Sequence, residues 1–321
     1  MTKSKPPEKL YKYRVFNVNT LRLLTESEAY YASPEKLNDP LDCKPTIEKD
    51  TDRKALEKLC FKMLKEAHDK IIVAAHDAYN EMLKIDNSKL PESDNGKEYA
   101  RKKIIDHRYS ATEYGKYDDN HDGEEYYKHR LISVIQNILY EEIGKKGVLS
   151  LSEKWNCPLM WSHYADEHRG LCIEYDMTDH DCKNIKAVDY KQPRSIKVSE
   201  IIKWKKGSNE AENVILNTFF YSKAQQWDYE KEWRDIDKSG VNSAPFKISA
   251  IYFGFRCDVS IKTSIIKLFT GMPIKFYDIF ISNNSFDLKC RDTDKCYYEA
   301  CGVKEPDFVS LRDLPVYESD T

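Results

Sequence analysis

The sequence predicts an α+β fold, a strand-rich body interrupted by a helical insertion. Three observations carry this. Short alternating runs such as "LYKYRVF", "LCIEYDM" and "IKFYDIFIS" mark strands on both sides of the middle of the chain. Between about residues 46 and 147 the texture changes to long helical periodicity. Clusters of Pro, Gly, Asn and Asp separate the runs. The expected organisation is a single domain over 1–321 with the helical insertion, 46–147, inside it.

The elements follow in order. "LYKYRVF" alternates and is aromatic, so it reads as a strand. "NVNTLRLLTESE" offers Asn17 or Asn19 as a cap before Leu21, Leu23 and Leu24, a short helix. "AYYAS" is a second short strand, and "PEKLNDPLDC" is a turn-rich loop. In the insertion, a long helix places Leu56, Leu59, Cys60, Met63 and Leu64 on one face. "PESDNGKEY" and "YGKYDDNHDGEEYY" are polar breaks, and "YYKHRLISVIQNILYEEIGKKG" is a helix with Gly147 as its expected C-cap. Strands return with "VLSLS", "LCIEYDM" and "IKAVDY", around a short helix beginning near Pro158. "NEAENVILNTFFYSKAQQW" is a helix leading into "QWDYEKEWRDI" (Gln226–Ile236), whose alternation predicts a strand. "ISAIYFGFRC", "IKFYDIFIS" and "SFDLKCRD" are the last strands, with a helix capped by Gly271 between the first two.

Composition bounds the function. Hydrophobic residues make up 40%, charged residues 33% and aromatics 12% of the 321 residues, which excludes wholesale disorder. A formal net charge of -3 excludes a globally basic nucleic-acid coat and leaves room for local basic patches. Twenty-two tyrosines suit grooves and half-buried surfaces. Nine cysteines, with no CxxC pair and no apolar leader in "MTKSKPPEKLYKYR", lead us to expect free thiols in a reducing cytoplasm. "CRDTDKCYYEAC" lacks paired histidines, so no metal is expected there. No apolar run reaches transmembrane length, so no membrane partner is expected.

Four constellations carry candidate chemistry. As a strand, "QWDYEKEWRDI" sets Trp227, Tyr229, Lys231 and Trp233 on one face and Asp228, Glu230, Glu232 and Arg234 on the other. Glu230 and Glu232 would then point the same way, about 7 Å apart. They are either a solvated edge face or a carboxylate pair at an active site. Arg14 ends a strand beside Tyr13, and its planar fork suits a phosphate or pyrophosphate. Tyr31 and Ser33 stand at a strand end before Pro34. Trp161, His163 and Tyr164 share one helical turn, where His163 is either a general base or hydrogen-bonded scaffolding.

The order of these motifs resembles that of a large bacterial domain family. Its members carry "F-S-S-P" where this chain has Tyr31 to Pro34. The resemblance covers the first forty residues and most of 148–260. The order is also similar to that of the ADP-ribosyltransferase superfamily, which implies a split β-sheet around an NAD cleft. By that resemblance Arg14 grips NAD, Ser33 or Tyr31 is the second-motif residue, Glu232 is the catalytic glutamate and Glu230 its upstream partner. Tyr13, Trp161 and Tyr164 would stack on nicotinamide or adenine. The expected activity is transfer from NAD, used as substrate without a metal, to a nucleic acid, RNA before DNA. Basic and aromatic interleaving in "YARKKIIDHRY" and "YYKHR" suits such an acceptor. The resemblance further implies a toxin of a toxin–antitoxin or phage-defence system, with an antitoxin protein as a partner. Three alternatives stay open: a protein acceptor, a metal-dependent nuclease using Asp39, Asp42, Glu230 and Glu232, and a non-catalytic nucleotide-sensing domain.

Overall fold

A computed structural model of the chain describes residues 5–84, 95–117, 123–178 and 185–300. The chain forms two compact units. Of the described residues, those within 5–12, 22–154 and 176–247 make up one, and those within 13–21, 155–175 and 248–300 the other.

In the first unit, strand β1 (Lys9–Arg14, whose last two residues belong to the second unit) pairs antiparallel with β4 (Lys146–Ser152), Tyr11 opposite Ser152. The β4 strand pairs antiparallel with β8 (Glu232–Lys238), from Lys146 opposite Lys238 to Ser152 opposite Glu232. The two-residue β6 (Lys186–Ala187) pairs with the other edge of β8. Two small pairings complete the strands: β2 (Glu28–Tyr31) antiparallel to β9 (Gly240–Ser243), and β3 (Thr46–Glu48) parallel to β7 (Ser195–Lys197).

The insertion supplies three helices, α2 (Arg53–Leu83), α3 (Asn95–Tyr117) and α4 (Gly123–Ile143). Asp52 caps α2 by accepting from the Ala55 amide at 2.7 Å, satisfying one donor of its first turn. The buried face of α2 is Leu56, Leu59, Cys60, Met63 and Leu64, as the periodicity predicts. In α4 the buried residues recur every fourth position, Tyr127, Leu131, Ile135, Leu139 and Ile143. These faces meet α6 (Val198–Trp204), α7 (Asn209–Tyr221) and β4 in one core, through Met63, Leu139, Val148, Ile201 and Phe219. The insertion therefore shares its apolar interior with the strands of its own unit.

In the second unit, the strands run in the order β12 (Leu288–Asp292), β11 (Lys275–Ile281), β10 (Lys247–Phe253, from Ile248 on) and β5 (Leu171–Asp176, to Tyr175). A parallel pair needs a crossover, and α8 (Val259–Leu268) supplies it between β10 and β11. Asp258 caps α8. The short α5 (Pro158–Tyr164) begins with proline at its first position. The two remaining helices are α1 (Val18–Thr25), where Asn17 accepts from the Thr20 amide, and α9 (Lys295–Ala300). Among the described residues no helix is long and apolar enough to cross a membrane.

Three sequence expectations are corrected. Gly147 lies inside β4 and is no helix cap, since α4 ends at Ile143. Its lack of a side chain has another cause: a Cβ there would meet Tyr31 and the Ser239 backbone at 2.7 Å. "IKAVDY" shrinks to the two-residue β6. The strand expected over Gln226–Ile236 begins only at Glu232, and Gln225–Glu230 is a 3₁₀ turn.

Candidate functional site

The 3₁₀ turn ends at Lys231, which adopts the left-handed conformation (φ 44°, ψ 55°) before β8 begins. Glu230 and Glu232 thus do not share a face by strand pleat. The turn brings them together instead. Lys223, between α7 and the turn, donates from Nζ to Glu230 Oε2 at 2.5 Å and to Glu232 Oε2 at 2.9 Å. Arg234 shares the Glu232 face of β8, as strand alternation requires, and grips it twice, Nε to Oε1 at 2.8 Å and Nη2 to Oε2 at 2.9 Å. The far side of the same guanidinium holds Asp42, Nη1 to Oδ1 at 2.9 Å and Nη2 to Oδ2 at 2.5 Å, and donates to the Phe220 carbonyl at 2.7 Å.

This cluster is almost dry. Arg234 is 0% exposed, Glu230 3%, Glu232 4%, Asp42 4% and Lys223 9%. Three carboxylates face two cations, an excess of one negative charge. Burial would push the Glu232 carboxyl up. Arg234 and Lys223 outweigh it, with hydrogen bonds from Arg234 and Ser150, and hold it well below the usual carboxylate range. Burial would likewise lower Lys223, yet Glu232 and Glu230 carry it above its ordinary value. Arg234 is raised in the same way, against its burial, by Glu232 and Asp42.

Surrounding groups fix the frame. The Glu232 amide donates to Tyr190 Oη at 2.9 Å, and Ser152 Oγ donates to the Glu230 carbonyl at 2.7 Å. Lys223 lies over the Trp227 ring, 5.2 Å from its centroid, and Trp227 Nε1 donates to Asp39 at 2.8 Å. On the opposite face of β8, Asp235 accepts from the Tyr31 hydroxyl at 2.7 Å, and burial raises its carboxyl. Tyr31 is therefore buried with its hydroxyl on Asp235, while the half-buried Ser33 precedes the 3₁₀ turn Pro34–Lys36.

The remaining candidates belong to the second unit. Arg14 is half-buried and has no carboxylate partner among the described residues. Burial lowers its pKa, opposed by the nearby Tyr175. Gly170 packs so closely on the Arg14 carbonyl that a Cβ would lie 2.2 Å from it. Trp161 is fully buried, edge-on to Tyr13 at 5.3 Å, and donates from Nε1 to the Trp155 carbonyl at 2.6 Å. His163 is exposed and edge-on to Tyr164 at 6.2 Å.

Sequence reasoning missed three features. Lys223 lies seven residues before Glu230 with no periodic signal to join them. The sequence offers Asp42 only as a metal-binding carboxylate beside Glu230 and Glu232, and its pairing with Arg234 from a turn-rich loop carries no signal there. In the second unit His168, not His163, is the embedded histidine. Its Nε2 lies 3.2 Å from Ser162 Oγ, its ring packs on Phe255, and it ends a left-handed run, Asp166, Glu167 and His168.

A family model described as "Protein of unknown function (DUF2971)" matches residues 160–234, under a quarter of the chain. The similar span runs from α5 to Arg234 and includes Lys223, Glu230 and Glu232. No curated protein and no solved structure matches the chain.

Proposed function

We propose that the chain is an NAD-dependent ADP-ribosyltransferase whose acceptor is a nucleic acid, RNA ahead of DNA. The observation that supports this reading best is the convergence of Glu230 and Glu232 on one lysine, in a cluster with one excess negative charge. Breaking the nicotinamide–ribose bond sends its electron pair to nicotinamide and builds positive charge on the ribose. A fixed anion in a dry site stabilises that charge far better than water does. Lys223 is the movable member, a flexible ammonium where Arg234 is a locked fork. When the ribose cation takes its place, Glu232 faces the developing charge. Glu230 accepts the proton of the acceptor as that nucleophile bonds to the ribose. Lys102, Lys103 and Tyr109, exposed on α3, suit a single-stranded acceptor.

A second reading has its own support. Arg234 is wholly buried with every partner in place, so the cluster also fits a structural lock. The nuclease alternative needs Asp42 and Glu232 free to share a divalent cation, and the fixed Arg234 guanidinium bridges them instead. Incubation with labelled NAD and separate RNA, DNA and protein pools tests the proposal. Nicotinamide release with label in RNA is expected, falling about 10²–10³-fold in Glu232→Gln. Label in protein would move the acceptor, and no release from wild-type protein would leave the structural lock.

A further inference from the structure

Helices α2 and α3 enclose an open groove of about 730 Å³, in the range of built binding sites. Its floor is aliphatic with one aromatic: Phe61 and Ile104 rest on the core, and Ile105 stands 63% exposed. Its rim carries Lys54, Lys58 and Arg101, all exposed. None of these three has a carboxylate partner among the described residues, although the groove contains acids. Those acids are already engaged. Asp52 caps α2, and Glu57 pairs with Arg108 at 3.1 Å and Arg53 at 3.7 Å. The groove therefore presents an apolar strip beside three uncompensated positive charges.

We propose that this groove is a docking site for an acidic amphipathic helix of a partner protein. An isoleucine left in water along a groove calls for an apolar partner, and the unpaired rim selects negative flanks. A helix laid along two helices meets both demands, its apolar residues at i, i+3, i+4 and i+7 entering the strip and its glutamates meeting the rim. A nucleic acid fits less well. The floor offers Phe61 alone for stacking, and isoleucines give bases no aromatic face. The inference is independent of the transferase reading.

The test uses the full chain and designed, fluorescently labelled helical peptides. One has a leucine and phenylalanine stripe flanked by glutamates, one has the same stripe flanked by lysines, and a single-stranded RNA serves as the third probe. Anisotropy should show saturable binding of the acidic peptide, weakening as salt rises, and none of the lysine peptide. Ile105→Glu, and separately Lys54→Glu with Lys58→Glu, should each weaken binding at least tenfold. These positions are exposed, so melting curves should stay unchanged. Binding indifferent to both changes, no binding of the acidic peptide, or displacement of it by RNA from the groove would each overturn the proposal.

Discussion

Glu232 titrates against two cations in a dry cluster, and this sets the acid behaviour of the protein. Its carboxyl is held below the ordinary value of 4.5 by Arg234 and Lys223, despite burial. A group with a depressed folded pKa contributes stability that is present above its unfolded pKa. That contribution is lost as pH falls from about 4.5 toward the folded value. Melting temperature should therefore fall steeply on acidification below pH 4.5, and Glu232→Gln should flatten that slope. The same substitution removes the carboxylate that Lys223 and Arg234 both bond, and breaking a buried pair in this way should cost about 3–5 kcal/mol at neutral pH. A denaturant titration of Glu232→Gln checks it, and an unchanged midpoint would remove the cluster from the stability account. At this scale the sequence was partly legible. Glu230, Glu232 and Arg234 lie within five residues and could be read as one charged group. Lys223, and the pairing of Asp42 with Arg234, could not, because only the folded chain brings them to these carboxylates and this guanidinium.

At the scale of elements, α2 and α4 were readable because their buried residues repeat every three or four positions, whereas α3 was not, its ends lying in stretches read as polar breaks. Misreading Gln226–Glu230 as strand has a physical source. Alternation over five residues is satisfied by a tight turn as well as by a pleat, and the left-handed Lys231 that separates the turn from β8 is not a glycine. That conformation crowds a side chain against its own backbone by about 1–2 kcal/mol. Lys231→Gly should therefore leave the melting temperature equal or higher. Lys231→Val, branched at Cβ, should lower it by the equivalent of about 1–2 kcal/mol. Equal melting of the two variants would show that the turn does not depend on this geometry. The strands β3, β7 and β9 escaped notice because three or four residues carry too little periodicity to stand out.

For the whole molecule, the α+β character was legible from the succession of strand and helix textures, and the division into two units was not. Each unit draws on segments far apart in sequence, and no composition shift marks those joins. Thiols offer a check on the complete chain. The seven cysteines among the described residues are all unpaired. Burial pushes the Cys60 and Cys257 thiols up to about 12 and raises Cys172 as well, while Cys296 is exposed. Thiolate is the reactive form, so alkylation of the native protein followed by mass mapping should label Cys296 first. Cys43, Cys60 and Cys172 should react only on unfolding, and early labelling of Cys60 would contradict the packing of α2.

The Arg234–Asp42 contact joins positions 192 residues apart, with the three helices of the insertion inside the loop it closes. Closure of so large a loop is rewarded only after the intervening helices have packed, and two charges must shed water at that moment. The contact should thus form on the native side of the folding barrier. Its loss then acts as a change in lifetime. Asp42→Asn should speed unfolding strongly and leave the refolding rate nearly unchanged, which stopped-flow measurements on both limbs of the chevron resolve. By this account the buried cluster works as a latch on the native state, set after the fold has assembled and governing how long it lasts.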